Sequence, residues 1–102
     1  MTPYDIMGYV AVSTAGRDKG RFFMVVGAAD EAHVLLCDGK LRRMDRPKKK
    51  KHMHIKLLNA CDKVIAAKLH AGDQVLDAEV RKSLAGMGYN NHKNEAEEGS
   101  LV

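Results

Sequence analysis

The chain has 102 residues, 45% hydrophobic and 29% charged, which leaves room for one small domain whose core lies near the lower size limit for independent folding. That size argues against a large catalytic cleft. The formal net charge is +4, and it is unevenly spread: residues 16–56 hold twelve Lys/Arg against five Asp/Glu, while the rest of the chain holds five against eight. Such an asymmetry suggests a face aimed at a polyanion, because neutralising phosphates releases counterions. The start MTPYDIMGYV has no basic segment followed by an apolar core, and no window approaches the ~20 apolar residues of a membrane span. The expectation is therefore a cytoplasmic protein without a membrane partner. Cys37 and Cys61 lie far apart with no CxxC spacing, so two reduced, partly buried thiols are expected.

In chain order, residues 8–14 (GYVAVST) have strand composition, being rich in β-branched and aromatic side chains. Gly16 and Gly20 then bound a short turn, GRDKGR, whose tip is cationic, and residues 21–27 again read as a strand. Together they predict a basic hairpin. Residues 33–37 form a third apolar run. Asp38-Gly39 favours the positive backbone dihedrals of a two-residue hairpin turn, which predicts a fourth strand over 40–46. A fifth is expected over 53–58. Five short strands in under sixty residues suggest a mostly β domain, a small barrel spanning 1–58, which hides its edges by closing.

From residue 59 the apolar period lengthens. Cys61, Val64, Ile65 and Leu69 recur at steps of three and four, with Asn59 or Asp62 as cap and Gly72 as stop. A second helix is expected from Asp77 as cap through Val80 and Leu84 towards Gly86 and Gly88. Helices this short need a surface to rest on, so 59–88 is expected to be two helices packed on the barrel. The polar stretch 89–102 reads as a disordered tail.

Candidate chemistry concentrates in the middle of the chain. Arg42, Arg43 and Arg46 present planar forks that grip phosphate or stack on a base, and Lys48, Lys49, Lys50 and Lys51 are hydrated point charges. The paired arginines interrupt pleat alternation, predicting a bulge, and Pro47 should mark an exit into a loop that carries the lysines. The bland alternative is a solvated basic loop. Of Phe22 and Phe23, one should face the core and the other the opposite side, where cover by the C-terminal helices competes with stacking on a base. Few aromatics means recognition of backbone and shape in preference to a base code. Metal and enzyme chemistry find little support: His52 and His54 lack a second closely spaced ligand pair, GRDKGR lacks phosphate-loop spacing, and neither cysteine has an activating partner in sequence. No cofactor is implied.

The stretch VAVSTAGRDKGRFFMVVGAADEAHVLLCDG resembles a KOW motif, the β-hairpin unit of ribosomal proteins and transcription elongation factors, with Gly20 as its central glycine. Many such units carry another glycine shortly after the Lys-Gly pair, where this chain has Phe22 and Phe23. Further on, DGKLRRMDRPKKKKHMHIKLLN is similar to the arginine-rich segment of the archaeal and eukaryotic large-subunit ribosomal protein number fourteen, and most of all to short bacterial KOW-domain RNA-binding proteins. The resemblance covers about residues 6–59. It implies a small SH3-like barrel that binds structured RNA, ribosomal RNA in particular, without catalysis, using Arg17, Lys19, Gly20 and Arg21 in the hairpin and Arg42, Arg43, Arg46 and Lys48 to Lys51 beyond it. A stable ribosomal component and a transient ribosome-associated factor both fit, since the longer C-terminal extension of the ribosomal protein is missing. The alternative is a protein-interaction module of the translation or transcription machinery, docking through the two helices.

Overall fold

The computed structural model describes residues 3–89. A 3-10 turn, Pro3–Ile6, leads into five strands: β1 (Tyr9–Ser13), β2 (Phe22–Ala28), β3 (His33–Cys37), β4 (Lys48–Lys51) and β5 (Ile55–Cys61). Two helices follow, α1 (Lys63–Ala71) and α2 (Asp77–Gly86). The strands form one antiparallel sheet in the order β4-β3-β2-β1-β5. Three strands and both helices stand close to where the sequence puts them. No ladder joins the edge strands β4 and β5 among the described residues, so the sheet is open and the expected closure into a barrel is not present as strand pairing.

Both faces of the sheet are covered, and this explains why its strands read as apolar runs instead of alternating. Val10, Met24 and Cys37 face Ile65, Val75, Val80 and Leu84, so one core lies between sheet and helices. Ala11, Phe23, Val25, Val34 and Leu36 face the other way and close on Ile6. Adjacent residues thus serve different cores, and each fully buried large side chain contributes about 1.5–3 kcal/mol. Phe22 and Phe23 divide as alternation requires: Phe23 is buried in the second core, while Phe22 packs against the helix side with its ring 5.1 Å from that of Tyr89. Tyr89, expected to open a loose tail, is therefore part of the packing. The rest of that expectation, 90–102, lies outside the described residues.

Asp62 caps α1 as expected, its Oδ1 accepting from the Val64 and Ile65 N–H groups at 3.0 Å. Its Oδ2 takes the Ser83 hydroxyl of α2 at 2.5 Å, so one carboxylate starts one helix and anchors the next. Burial opposes the charge on Asp62, and these hydrogen bonds override it, holding the carboxyl below its ordinary range. Gly72, at φ 77°, ends α1. At α2 the expected cap is corrected. Leu76 occupies the cap position, and the Glu79 carboxylate reaches back to accept the Leu76 N–H at 2.8 Å. Glu79 also holds Lys68 of α1 at 2.5 Å. Asp77 is used elsewhere.

The largest departure from expectation lies between β3 and β4. Residues 40–46 form no strand, because Asp38 Oδ1 accepts from both the Lys40 and Arg42 N–H groups at 2.9 Å and folds the segment back locally. The Arg46 N–H donates to the Arg43 carbonyl, so backbone donors that a ladder would use are already committed. With no strand there, no bulge falls at the paired arginines; the register shifts occur in the β1–β5 and β2–β3 pairs instead. The lysines expected in a loop after Pro47 are the edge strand β4, and Pro47, which has no N–H to offer, sits just before its first ladder position. The fifth strand is preceded by a 3-10 turn, His52–His54, and extends three residues beyond its expected end.

Candidate nucleic-acid interface

Two segments build the site, and each is held by a buried or half-buried aspartate. The first is the turn between β1 and β2. Ser13 N–H donates to Arg21 C=O at 3.0 Å, Gly20 N–H to Ser13 C=O at 2.8 Å and Arg21 N–H to Asp18 C=O at 2.9 Å. This geometry puts Gly20 at φ 88°, where a side chain is strained. It also turns the Asp18 carboxylate inward. Asp18 Oδ1 accepts from the Ser13 hydroxyl at 2.7 Å and from Lys50 Nζ at 2.6 Å, and Oδ2 lies 3.1 Å from Lys48 Nζ. The Lys50 ammonium donates as well to the Ala15 carbonyl at 2.6 Å. Burial alone would raise the Asp18 carboxyl; the hydrogen bonds from Lys50 and Ser13 and the Lys48 ammonium beside it outweigh that and hold the group well below the usual carboxylate range.

The second segment is the loop 38–47. Asp38 fixes its start, and Arg21 reaches it from the hairpin at 3.8 Å. Its middle is gripped from α2: Asp77 Oδ1 accepts the Met44 N–H at 2.7 Å, Asp77 Oδ2 accepts Arg43 Nε at 3.2 Å, and Arg81 donates to the Gly39 carbonyl at 2.9 Å. Gly39, at φ 76°, lies so close to α2 that a Cβ there would collide with the Asp77 carbonyl. The backbone and side-chain bonds to Asp77 lower its carboxyl too, the Met44 N–H most of all.

Between these two walls lies an open groove of about 370 Å³ lined by Arg17, Asp18, Arg21, Phe23, Leu41, Arg42 and Lys48. The hairpin and the central basic segment therefore share one side of the molecule. Of the expected contact residues, Arg17, Arg21, Arg42 and Lys48 line the groove, and Gly20 shapes its hairpin wall. Arg17 and Arg42 are exposed and make no ion pair among the described residues. Arg43 is bound to Asp77 and does not line it. Lys19, Arg46 and Lys51 are exposed outside its lining.

The lysine run does not act as a unit. In the β3–β4 register, Lys48 and Lys50 stand beside Leu36 and Val34, and Lys49 and Lys51 beside Leu35 and His33. Alternation sends the first pair to the side of the Phe23 core and the second pair to the opposite face. Lys50 is only 8% exposed with its ammonium spent on Asp18 and Ala15, so it is a structural residue and offers nothing to a ligand. Lys49 lies 3.9 Å from Asp30 across exposed surface, an attraction that solvent largely screens. Sequence reasoning missed Asp18, whose only signal was an acid between two bases in a glycine-bounded turn, and Leu41, which carried no signal at all.

Elsewhere the chemistry is quiet. Burial pushes the Cys37 thiol up to about 12 and also raises Cys61, so both are neutral thiols near pH 7. They form no disulfide. Among the described residues no group of three or more His, Cys, Asp and Glu is arranged to hold a metal ion, and no helix is long and apolar enough to cross a membrane. No family model matches the chain, and no curated protein matches it either.

Proposed function

We propose that this protein binds structured RNA, ribosomal RNA by the class its sequence resembles, and that it does so as a non-catalytic cytoplasmic KOW-type protein. The observation that carries this reading is the groove in which Arg17 and Arg42 converge from two separate segments, beside Arg21 and Lys48, which are paired with Asp38 and Asp18. Guanidinium groups fork onto phosphate oxygens and stack on bases, and two of the three here have no carboxylate partner within the described residues. Lys19 and Arg46, on the same two segments, are exposed beyond its lining, whereas Lys49 and Lys51 project from the other face of β4. The five-strand antiparallel order is in keeping with an SH3-like module, and the contact between Lys50 of β4 and Asp18 ties the edge strand to the hairpin turn. Ile65, Val80 and Leu84 of the helices are spent on the sheet, while Val64 and Leu76 stay exposed as the apolar surface a protein-docking alternative would use.

The test is the salt dependence of binding to ribosomal RNA fragments and to ribosomal particles. Each neutralised phosphate should contribute about −0.7 to −0.9 to the log–log slope. Changing Arg17 and Arg42 together to alanine should make that slope shallower by roughly 1.5 and weaken binding at least tenfold at low salt. Binding that ignores salt, or survives the double change, overturns the reading.

A further inference from the structure

The groove is not purely ionic, and phosphate binding leaves its apolar part without a purpose. Leu41 is 68% exposed on one wall, and Phe23 contributes to the lining from beneath. Phe23 also serves the second core, but a surface built only to follow a phosphate backbone has no use for an exposed Leu41. We infer that the groove is a slot for one unstacked nucleotide, so that the preferred RNA is a helix interrupted by a bulge or loop in place of a continuous duplex. This rests on the RNA-binding reading and narrows it.

Size, charge and rigidity converge on that occupant. At about 370 Å³ the groove sits at the small end of the roughly 300–1,000 Å³ of small-molecule clefts. A double-helical ridge would lie across such a space without filling it. A splayed-out nucleotide brings what the lining complements: a base with apolar faces for Leu41 and for the planes of Arg17 and Arg42, and an anion for their N–H donors. Asp18 and Asp38 are taken up by Lys48 and Arg21, so the cations of the groove without a carboxylate partner among the described residues are Arg17 and Arg42. Both walls are pinned before any ligand arrives, one through Lys50 and Asp18 and the other through Asp77 and Met44. A pre-set slot spends less of its binding on ordering itself.

Three RNA hairpins of matched length test this with the full chain: an uninterrupted stem, the same stem with one unpaired adenosine, and that bulge with an abasic residue in place of adenosine. By fluorescence anisotropy at fixed salt, the adenosine bulge should bind roughly fivefold or more tighter than the plain stem, the scale of stacking one base. The abasic bulge should lose this gain. Leu41→Ala should lose it too, while leaving the salt slope and the thermal midpoint unchanged. Equal affinity for all three RNAs with a normal salt slope overturns the slot and leaves RNA binding standing. Failure to bind any of them, with tight binding to an acidic peptide instead, overturns both.

Discussion

Lys48 and Lys50 share a strand and a chemistry with Lys49 and Lys51, yet the two pairs do opposite things. The first pair lies over Leu36 and Val34 and delivers its charge to a single aspartate in a distant turn; the second projects from the other face into solvent. The difference teaches that a run of like charges is one electrostatic feature only in a loop. On a strand the pleat cuts it into two surfaces, and a partner on one side turns half of it into scaffold.

The sharpest way to break this comparison is to remove the buried cation. Lys50→Met strips Asp18 of its buried cation and leaves only Ser13 and Lys48 on it, and chemical denaturation should show a loss of about 3 kcal/mol, the low end for one-sided removal from a buried pair. If the loss is as small as that of Lys49→Ala, the division between the pairs fails. Acid probes the same contact. Because the Asp18 carboxyl is lowered in the fold from its ordinary value of 3.8, the unfolded chain takes up the proton first. Its contribution is present above about pH 4 and lost as pH falls below that, with Asp62 and Asp77 acting in the same sense. Denaturation curves should fall in this window, less steeply for Asp18→Asn.

Asp77→Ala should cost about 1–2 kcal/mol, since it orphans the Met44 N–H and frees Arg43. It should also raise hydrogen exchange in residues 38–46 while leaving β1 and β2 protected. Gly20→Ala forces a side chain into the left-handed region and should cost about 1 kcal/mol by thermal unfolding. Smallest of all, Lys49→Ala and Lys51→Ala should each change stability by no more than about 0.5 kcal/mol.

What could be read from the sequence was what is decided locally. Asp62 and Gly72 mark α1 because a cap and a stop act within four residues, and the glycines of the hairpin act within one turn. The strands 22–28 and 33–37 were legible from composition, since both their faces are buried. The segment 40–51 was not. Lysines have no strand preference, and β4 exists because β3 offers a ladder and Asp18, 32 positions away, holds Lys50. The loop before it is set by Asp77, 33 positions beyond Met44. The groove could be anticipated as a juxtaposition of two basic segments, but its aspartate hinge and apolar wall depend on contacts that no window of sequence contains.

The grip of α2 on the loop has a consequence in time. During synthesis the hairpin and β4 emerge first, yet the wall bearing Leu41 and Arg42 is not set until Asp77 and Arg81 have followed them out. A nascent chain therefore carries its cations long before it carries its groove, whose second wall waits on α2.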